Sequence, residues 1–287
     1  MPLLFVLLHG WGLLRVSRNC SPSARNTSCA LLVVAHPDDE SLFFSNYINA
    51  ATCAGVRVHV LCLSTGNADG LGKVREKELL RACDLLQIAR DRVTILDEPR
   101  LQDGFHDWDA AAVAAAVTRA VQALQPDELV TFDAGGVSGH PNHASIFRAV
   151  RGMLASGAPP AGSDSDGHAV RPCHVYTLVT HPLLVKFSGP LGAALLLMRA
   201  HLQGRRQPAA ATASTSAGAG AASAAGGGAL GVPAGGGPLA FATANPVLPL
   251  RAMCCHWSQF VWYRLLFILF STYTYVNLLA PLGTLTC

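Results

Sequence analysis

Between residues 30 and 180 the chain repeats one unit: a short, largely apolar run, then a helix-length amphipathic segment. The runs lie at 30–35, 56–64, 93–96, 128–132 and 173–180. Helical patterns occupy 41–54, closed by Gly55, then 74–88, 110–124, opened by Asp109, and 144–154. Continuous rather than alternating apolar runs suit strands buried on both faces, which is the condition of a parallel sheet. Parallel neighbours need long crossovers, and the intervening helices supply them on both sides of the sheet. The expectation is therefore an α/β three-layer sandwich with a mostly parallel sheet and right-handed crossovers. With strand order 3-2-1-4-5, strands one and four are neighbours, and ligands bind beyond their carboxyl ends.

Those two ends carry unusual chemistry. The first strand runs straight into His36-Pro37-Asp38-Asp39-Glu40. Burying unpaired charge there is costly, so a cation is expected to compensate it. The fourth strand is followed by the loop 133–139 and then His140-Pro141-Asn142-His143. Segments distant in sequence thus converge on one crevice. A dinucleotide would require G-x-G-x-x-G after the first strand. The acidic turn that stands there would repel a pyrophosphate, which argues against a nicotinamide cofactor. A lone carboxylate after a strand often caps or starts a helix, which is the simple reading of Glu40. Two His with a carboxylate suit Zn²⁺ hydrolysis or Fe²⁺ oxygen chemistry. A further carboxylate beside them favours hydrolysis, because water activated by a metal needs a base.

The 287 residues carry 21 basic and 18 acidic side chains, a net charge of +3, too balanced for nucleic-acid binding by bulk electrostatics. Nine Cys without C-x-x-C pairs read as free thiols in a reducing compartment. Residues 2–14 are apolar and are followed by Arg15, Arg18 and Arg25, with no Lys or Arg before them. The run falls short of the ~20 residues of a full span. Its flanking charges favour a membrane anchor over residues 1–16, rather than a cleaved signal, with the rest of the chain on the cytosolic side. Asn19 and Asn26 match the glycosylation pattern, which is silent in that topology. The stretch 155–171 reads as a mobile loop. The Ala/Gly-rich insert 207–246 has a composition that cannot offset its ordering entropy, and reads as disordered. It separates a catalytic domain over 28–204 from an aromatic segment at 250–287. That segment reads as a helix that either completes the domain or lies at a membrane interface.

The pair Ala35-His36-Pro37-Asp38-Asp39-Glu40 and His140-Pro141-Asn142-His143 resembles the LmbE-like family of zinc de-N-acetylases. Further stretches resemble its glycolipid branch, which acts on N-acetylglucosaminyl-phosphatidylinositol. They are Leu61-Cys62-Leu63-Ser64-Thr65-Gly66-Asn67, Arg75-Glu76-Lys77-Glu78, the run from Val130 to His140, and Cys254-Cys255-His256-Trp257-Ser258-Gln259. The resemblance implies a Rossmann-like fold and a divalent metal, Zn²⁺ first among candidates. It assigns His36, Asp39 and His143 to the metal and Asp38 to the general base. His140, as an imidazolium, would stabilise the oxyanion or protonate the leaving amine. Arg75 would contact substrate sugar or phosphate, against the plain reading of a solvated helix Arg. Asn142 stands where soluble relatives have Asp. The implied function is hydrolytic de-N-acetylation of that glycolipid, an early step in making glycosylphosphatidylinositol anchors, at the endoplasmic reticulum membrane with the catalytic domain facing the cytosol. The alternative is a deacetylase of a soluble N-acetylglucosamine conjugate, against which the apolar ends argue. A silent sugar-lipid binder would have no need of Asp38, and the extra base disfavours an iron oxygenase.

Overall fold

The structure, a computed structural model, describes residues 27–156, 171–206, 238–242 and 245–286. In chain order its elements are β1 (Cys29–Val34), α1 (Asp39–Phe43), α2 (Ser45–Cys53), β2 (Arg57–Cys62), α3 (Gly72–Leu85) and β3 (Val93–Ile95). Then come α4 (Ala110–Leu124), β4 (Glu128–Phe132), α5 (Pro141–Ser156), β5 (Pro172–Leu178) and α6 (Gly189–Arg206). The chain closes with β6 (Leu239–Ala242), α7 (Val247–Cys255), α8 (Trp262–Phe270) and β7 (Val276–Thr286).

The strands form one sheet in the order β3-β2-β1-β4-β5-β7-β6. β1 to β5 are parallel and in the expected order, whereas β7 and β6 add an antiparallel edge. Every residue of β1 and β4 is buried: β1 is an unbroken apolar run, whereas β4 also encloses Thr131 and Glu128, whose Oε1 accepts from Tyr47 Oη at 2.6 Å. Helix α4 starts where Asp109 caps it, with Oδ1 accepting from the Ala111 N–H at 2.9 Å.

Several boundaries differ from the sequence reading. The helix expected over 41–54 breaks at Phe44 into α1 and α2. The buried Asn277 side chain holds the break: its Nδ2 donates to Phe43 O at 2.8 Å and its Oδ1 accepts from Tyr47 N at 3.0 Å. Helix α5 begins at Pro141 rather than Ala144, since Pro fits a first helical position where its missing N–H costs nothing. The C-terminal aromatic segment is not one helix. Its helical pattern stops at Phe270, and 276–286 become β7, which lies between β5 and β6. Pro281 obscured that strand, and the structure accommodates it at a register shift opposite Val175 and Tyr176. β6, at the end of the stretch read as an insert, is an ordered edge strand. The expected anchor at 1–16 and most of 207–246 lie outside the described residues. No described helix is long and apolar enough to cross a membrane.

Candidate active site

The ends of β1 and β4 bring the two motifs together as the strand order requires. Asp38 follows β1 with φ 127°, a left-handed value that side chains rarely adopt, and such conformations persist where surrounding contacts over-determine them. Here its N–H donates to Glu40 Oε2 at 3.1 Å, and its Oδ2 accepts from Arg75 Nη2 at 3.4 Å and from Arg264 Nη1.

Asp39, fully enclosed, accepts from the Ala35 and His36 N–H groups at 3.0 and 2.9 Å through Oδ2. Its Oδ1 faces His143 Nε2 at 3.3 Å. Burial works to raise its pKa, but the neighbouring His143 and His36 outweigh that and hold the carboxyl well below the usual range.

Hydrogen bonding sets the imidazole tautomers. His143 Nδ1 lies 2.9 Å from Gly136 O, a carbonyl that can only accept, so Nδ1 carries the hydrogen and, in the neutral ring, Nε2 has the lone pair. Nε2 is buried and has no hydrogen-bond partner. The ring stacks on Phe132 with centroids 4.0 Å apart. Gly136 has φ +53°, and a Cβ there would meet His143 Cβ at 2.9 Å, so the carbonyl approach requires glycine. His36 Nε2 lies 2.9 Å from Asn142 Oδ1 and 3.1 Å from Asp103 Oδ1. Asn142 is oriented by Nδ2 donating to His106 O at 2.8 Å. His36 Nε2 is therefore the donor, and Nδ1, 3.8 Å from Asp39 Oδ2, faces the acidic side. Burial opposes charging His36, yet the Asp103 hydrogen bond and the carboxylates Asp39, Asp103 and Asp38 raise its pKa. A field that retains a proton also favours a metal cation, and the two compete for the same lone pair.

His140 differs. The Asn142 N–H donates to its Nδ1 at 3.3 Å, which leaves the hydrogen of a neutral ring on Nε2. Burial, with His36 and His143 nearby, pushes its pKa down to about 4. It is thus a neutral donor near pH 7, not the imidazolium anticipated from the sequence. His36, His140 and His143 can each present a ring nitrogen within 4.8 Å of the others, so these three form a second conceivable ligand set. The Nε2–H of His140 argues against its membership.

Arg75 is buried rather than solvated. It donates to Pro37 O and Gly66 O, each at 2.8 Å, and pairs with Asp103 at 3.3 Å. Gly66, with φ +68°, makes room, since a Cβ there would lie 2.5 Å from the guanidinium. Four participants went unassigned in the sequence. Asp103 carries no motif. Burial works to raise its pKa, but His36 and then Arg75 hold it down at about 2. Arg264 reaches Asp38 from α8. His256 and Ser258 sit in a quoted motif without a role. His256 Nε2 pairs with Glu40 at 2.6 Å, and Ser258 N and Oγ bind Glu78 at 2.8 and 2.6 Å. Beside the site, an apolar groove of about 650 Å³ runs between Phe43, Phe187 and α8 and reaches Arg264.

Residues 31–154 match the family profile described as GlcNAc-PI de-N-acetylase. The N-acetylglucosaminyl-phosphatidylinositol de-N-acetylase of Bos taurus is 34% identical over 253 residues, covering 87% of this chain and 82% of the relative. A probable enzyme of the same name from Schizosaccharomyces pombe is 48% identical over 119 residues, which span 41% of this chain and 48% of that protein. Among solved structures, a deacetylase triple mutant from the teicoplanin biosynthetic pathway matches with TM-score 0.51 at 16% identity, covering 90% of this chain and 98% of the other. That likeness is one of fold.

Proposed function

The chain belongs to the GlcNAc-PI de-N-acetylase family, and we propose that it hydrolyses N-acetylglucosaminyl-phosphatidylinositol to glucosaminyl-phosphatidylinositol and acetate, a step in building glycosylphosphatidylinositol anchors. The observation that carries this reading is the buried His143 Nε2, which makes no hydrogen bond and faces Asp39 Oδ1 at 3.3 Å, with Asp38 alongside. An orphaned buried acceptor next to a carboxylate fits a metal ligand. In this reading His36 Nδ1, Asp39 and His143 Nε2 hold the metal, and the N/N/O set with a nearby base favours Zn²⁺. When bound, the ion supplies Lewis acidity that polarises the acetyl carbonyl and makes water a competent nucleophile near pH 7.

The chain's own groups do the rest. Both guanidinium contacts to Asp38 fall on Oδ2, which orients the carboxylate and leaves Oδ1 to take the water proton. His140 Nε2–H donates to the oxyanion as the carbonyl carbon becomes tetrahedral. The C–N bond then breaks, and the proton gained by Asp38 passes to the departing amine. Arg75 acts here as a positioning residue that braces the turns at Pro37 and Gly66, and it has few donors left for a sugar. In this reading the enzyme works at the endoplasmic reticulum membrane, with its catalytic domain in the cytosol. The apolar N-terminus followed by Arg15, Arg18 and Arg25 supports that placement.

The test is acetate release by the purified full chain from the glycolipid in detergent, with and without chelator. The expected result is turnover that chelation abolishes and Zn²⁺ restores. No release after metal loading would overturn the reading.

A further inference from the structure

The apolar surface of the C-terminal half is too large and too uniform in charge to be ordinary exterior. On α6, Leu191, Leu195, Met198 and Leu202 recur every three or four residues, all more than half exposed, so they form one stripe. The helical turn Leu183–Lys186 ahead of α6 presents Leu184 at 88% exposure. On α8, Trp262 is 75% exposed, and Leu269 and Phe270 are also open to solvent. These pieces are contiguous. The Phe187 and Phe267 rings lie 5.9 Å apart, and a Cβ on Gly189 would sit 3.6 Å from Phe270 O. Monomeric soluble proteins rarely expose such an apolar continuum without a partner for it.

Two further observations identify the partner. After Asp166 the sequence contains no Asp or Glu. Every charge this face can offer is therefore cationic, including Arg199, one turn from both Leu195 and Leu202. A second copy of the same face would set cation against cation, whereas anionic lipid headgroups would neutralise it. Exposed Trp257 and Trp262 have the amphipathic rings favoured at a headgroup boundary. The apolar groove also has Phe187, Tyr263, Leu266 and Phe270 among its walls and reaches Arg264, which hydrogen-bonds Asp38.

We propose that the face formed by the 183–187 turn, α6 and α8 rests on a phospholipid bilayer containing anionic lipid, and that the groove admits the lipid portion of the substrate from that bilayer. The proposal rests on the glycolipid reading for the groove, but not for the docking face.

The test compares the full chain with the variant Leu195→Glu/Trp262→Glu in co-flotation with vesicles of phosphatidylcholine, alone or mixed with phosphatidylserine. The expected results are tighter binding to the mixed vesicles and a loss of about tenfold or more in the variant. Turnover of lipid-embedded substrate should fall in parallel, while turnover of lipid-free N-acetylglucosaminyl-inositol stays unchanged. In a Trp11→Phe background, which removes the tryptophan of the apolar N-terminal stretch, brominated lipid should quench the tryptophan emission and lose most of that effect when Trp257→Phe/Trp262→Phe is added, a readout that needs no charged substitution. Vesicle binding within twofold of wild type in the Glu variant would overturn the proposal, with the N-terminal segment as the anchor. A dimer in light scattering that the variant abolishes would overturn it too, in favour of a second copy. If the wild type turns over neither substrate, the deacetylase reading fails, while quenching still decides the docking face.

Discussion

Replacing His256 with Leu should strand a carboxylate in the core. Glu40 and His256 are both fully enclosed and pair at 2.6 Å across a long stretch of sequence. The remaining partners of Glu40 are neutral: Ser41 Oγ at 2.5 Å and the Asp38 N–H at 3.1 Å. Removing one member of a buried pair costs about 3–5 kcal/mol. The two surviving donors place this case near the lower end, about 3 kcal/mol. At about 2–4 °C per kcal/mol for a domain of this size, Tm should fall by about 6–12 °C. Urea denaturation of His256→Leu, Glu40→Gln and the double variant measures it, and the double variant should be more stable than His256→Leu alone. Burial alone would lower the His256 pKa, but the Glu40 charge and hydrogen bond raise it overall. The folded pKa then lies above the unfolded value of about 6.5. The stabilisation is complete below that value and disappears as pH rises through the folded pKa. The gap between wild type and His256→Leu should therefore narrow in alkali. A His256→Leu loss under about 1 kcal/mol, or strictly additive single variants, would refute the coupling.

The remaining predictions concern the site. Asp38→Asn should keep its metal but lose about 10²–10⁴-fold in turnover, and unchanged acetate release would remove Asp38 as the base. His143→Ala should purify without metal, and full occupancy by elemental analysis would count against its ligand role. Asp103→Asn removes the charged acceptor behind His36 and should weaken metal affinity about 10–100-fold in a chelator competition, with the fold intact by circular dichroism. Phe105 is exposed, and its ring lies 5.5 Å from that of His140. Phe105→Ala should raise KM with little change in kcat if the ring supports the sugar, and an unaltered KM would rule that out.

The parallel sheet and the meeting of the two motifs were legible because both follow from local pattern. Strands buried on both faces are mostly apolar, and a strand end that then turns acidic and imidazole-bearing is conspicuous in any context. The C-terminal strand was not legible, because Pro281 and the preceding aromatic helix outweighed the β-branched residues of 276–286 in a reading by local preference. Arg75 illustrates the same limit. Its neighbours Glu76 and Lys77 read as a solvated helix face, and only the close approach of Pro37 and Gly66 buries it.

From the sequence alone came the order of the inner strands, the crevice they create, and the five side chains His36, Asp38, Asp39, His140 and His143 around it, whereas Arg75 entered only through the family resemblance. Only the tertiary structure decided which nitrogen of each histidine carries a hydrogen, because the Asn142 side chain reaches His36 from a distant segment and the backbone of Gly136 and Asn142 meets the His143 and His140 rings only in the folded turn before α5. It also decided that Glu40 belongs to His256 and Asp38 to Arg264, and that α6 and α8 share one acid-free apolar face. A strand's burial is written in its own residues, but a proton's position and a charge's partner depend on groups that only folding brings within reach.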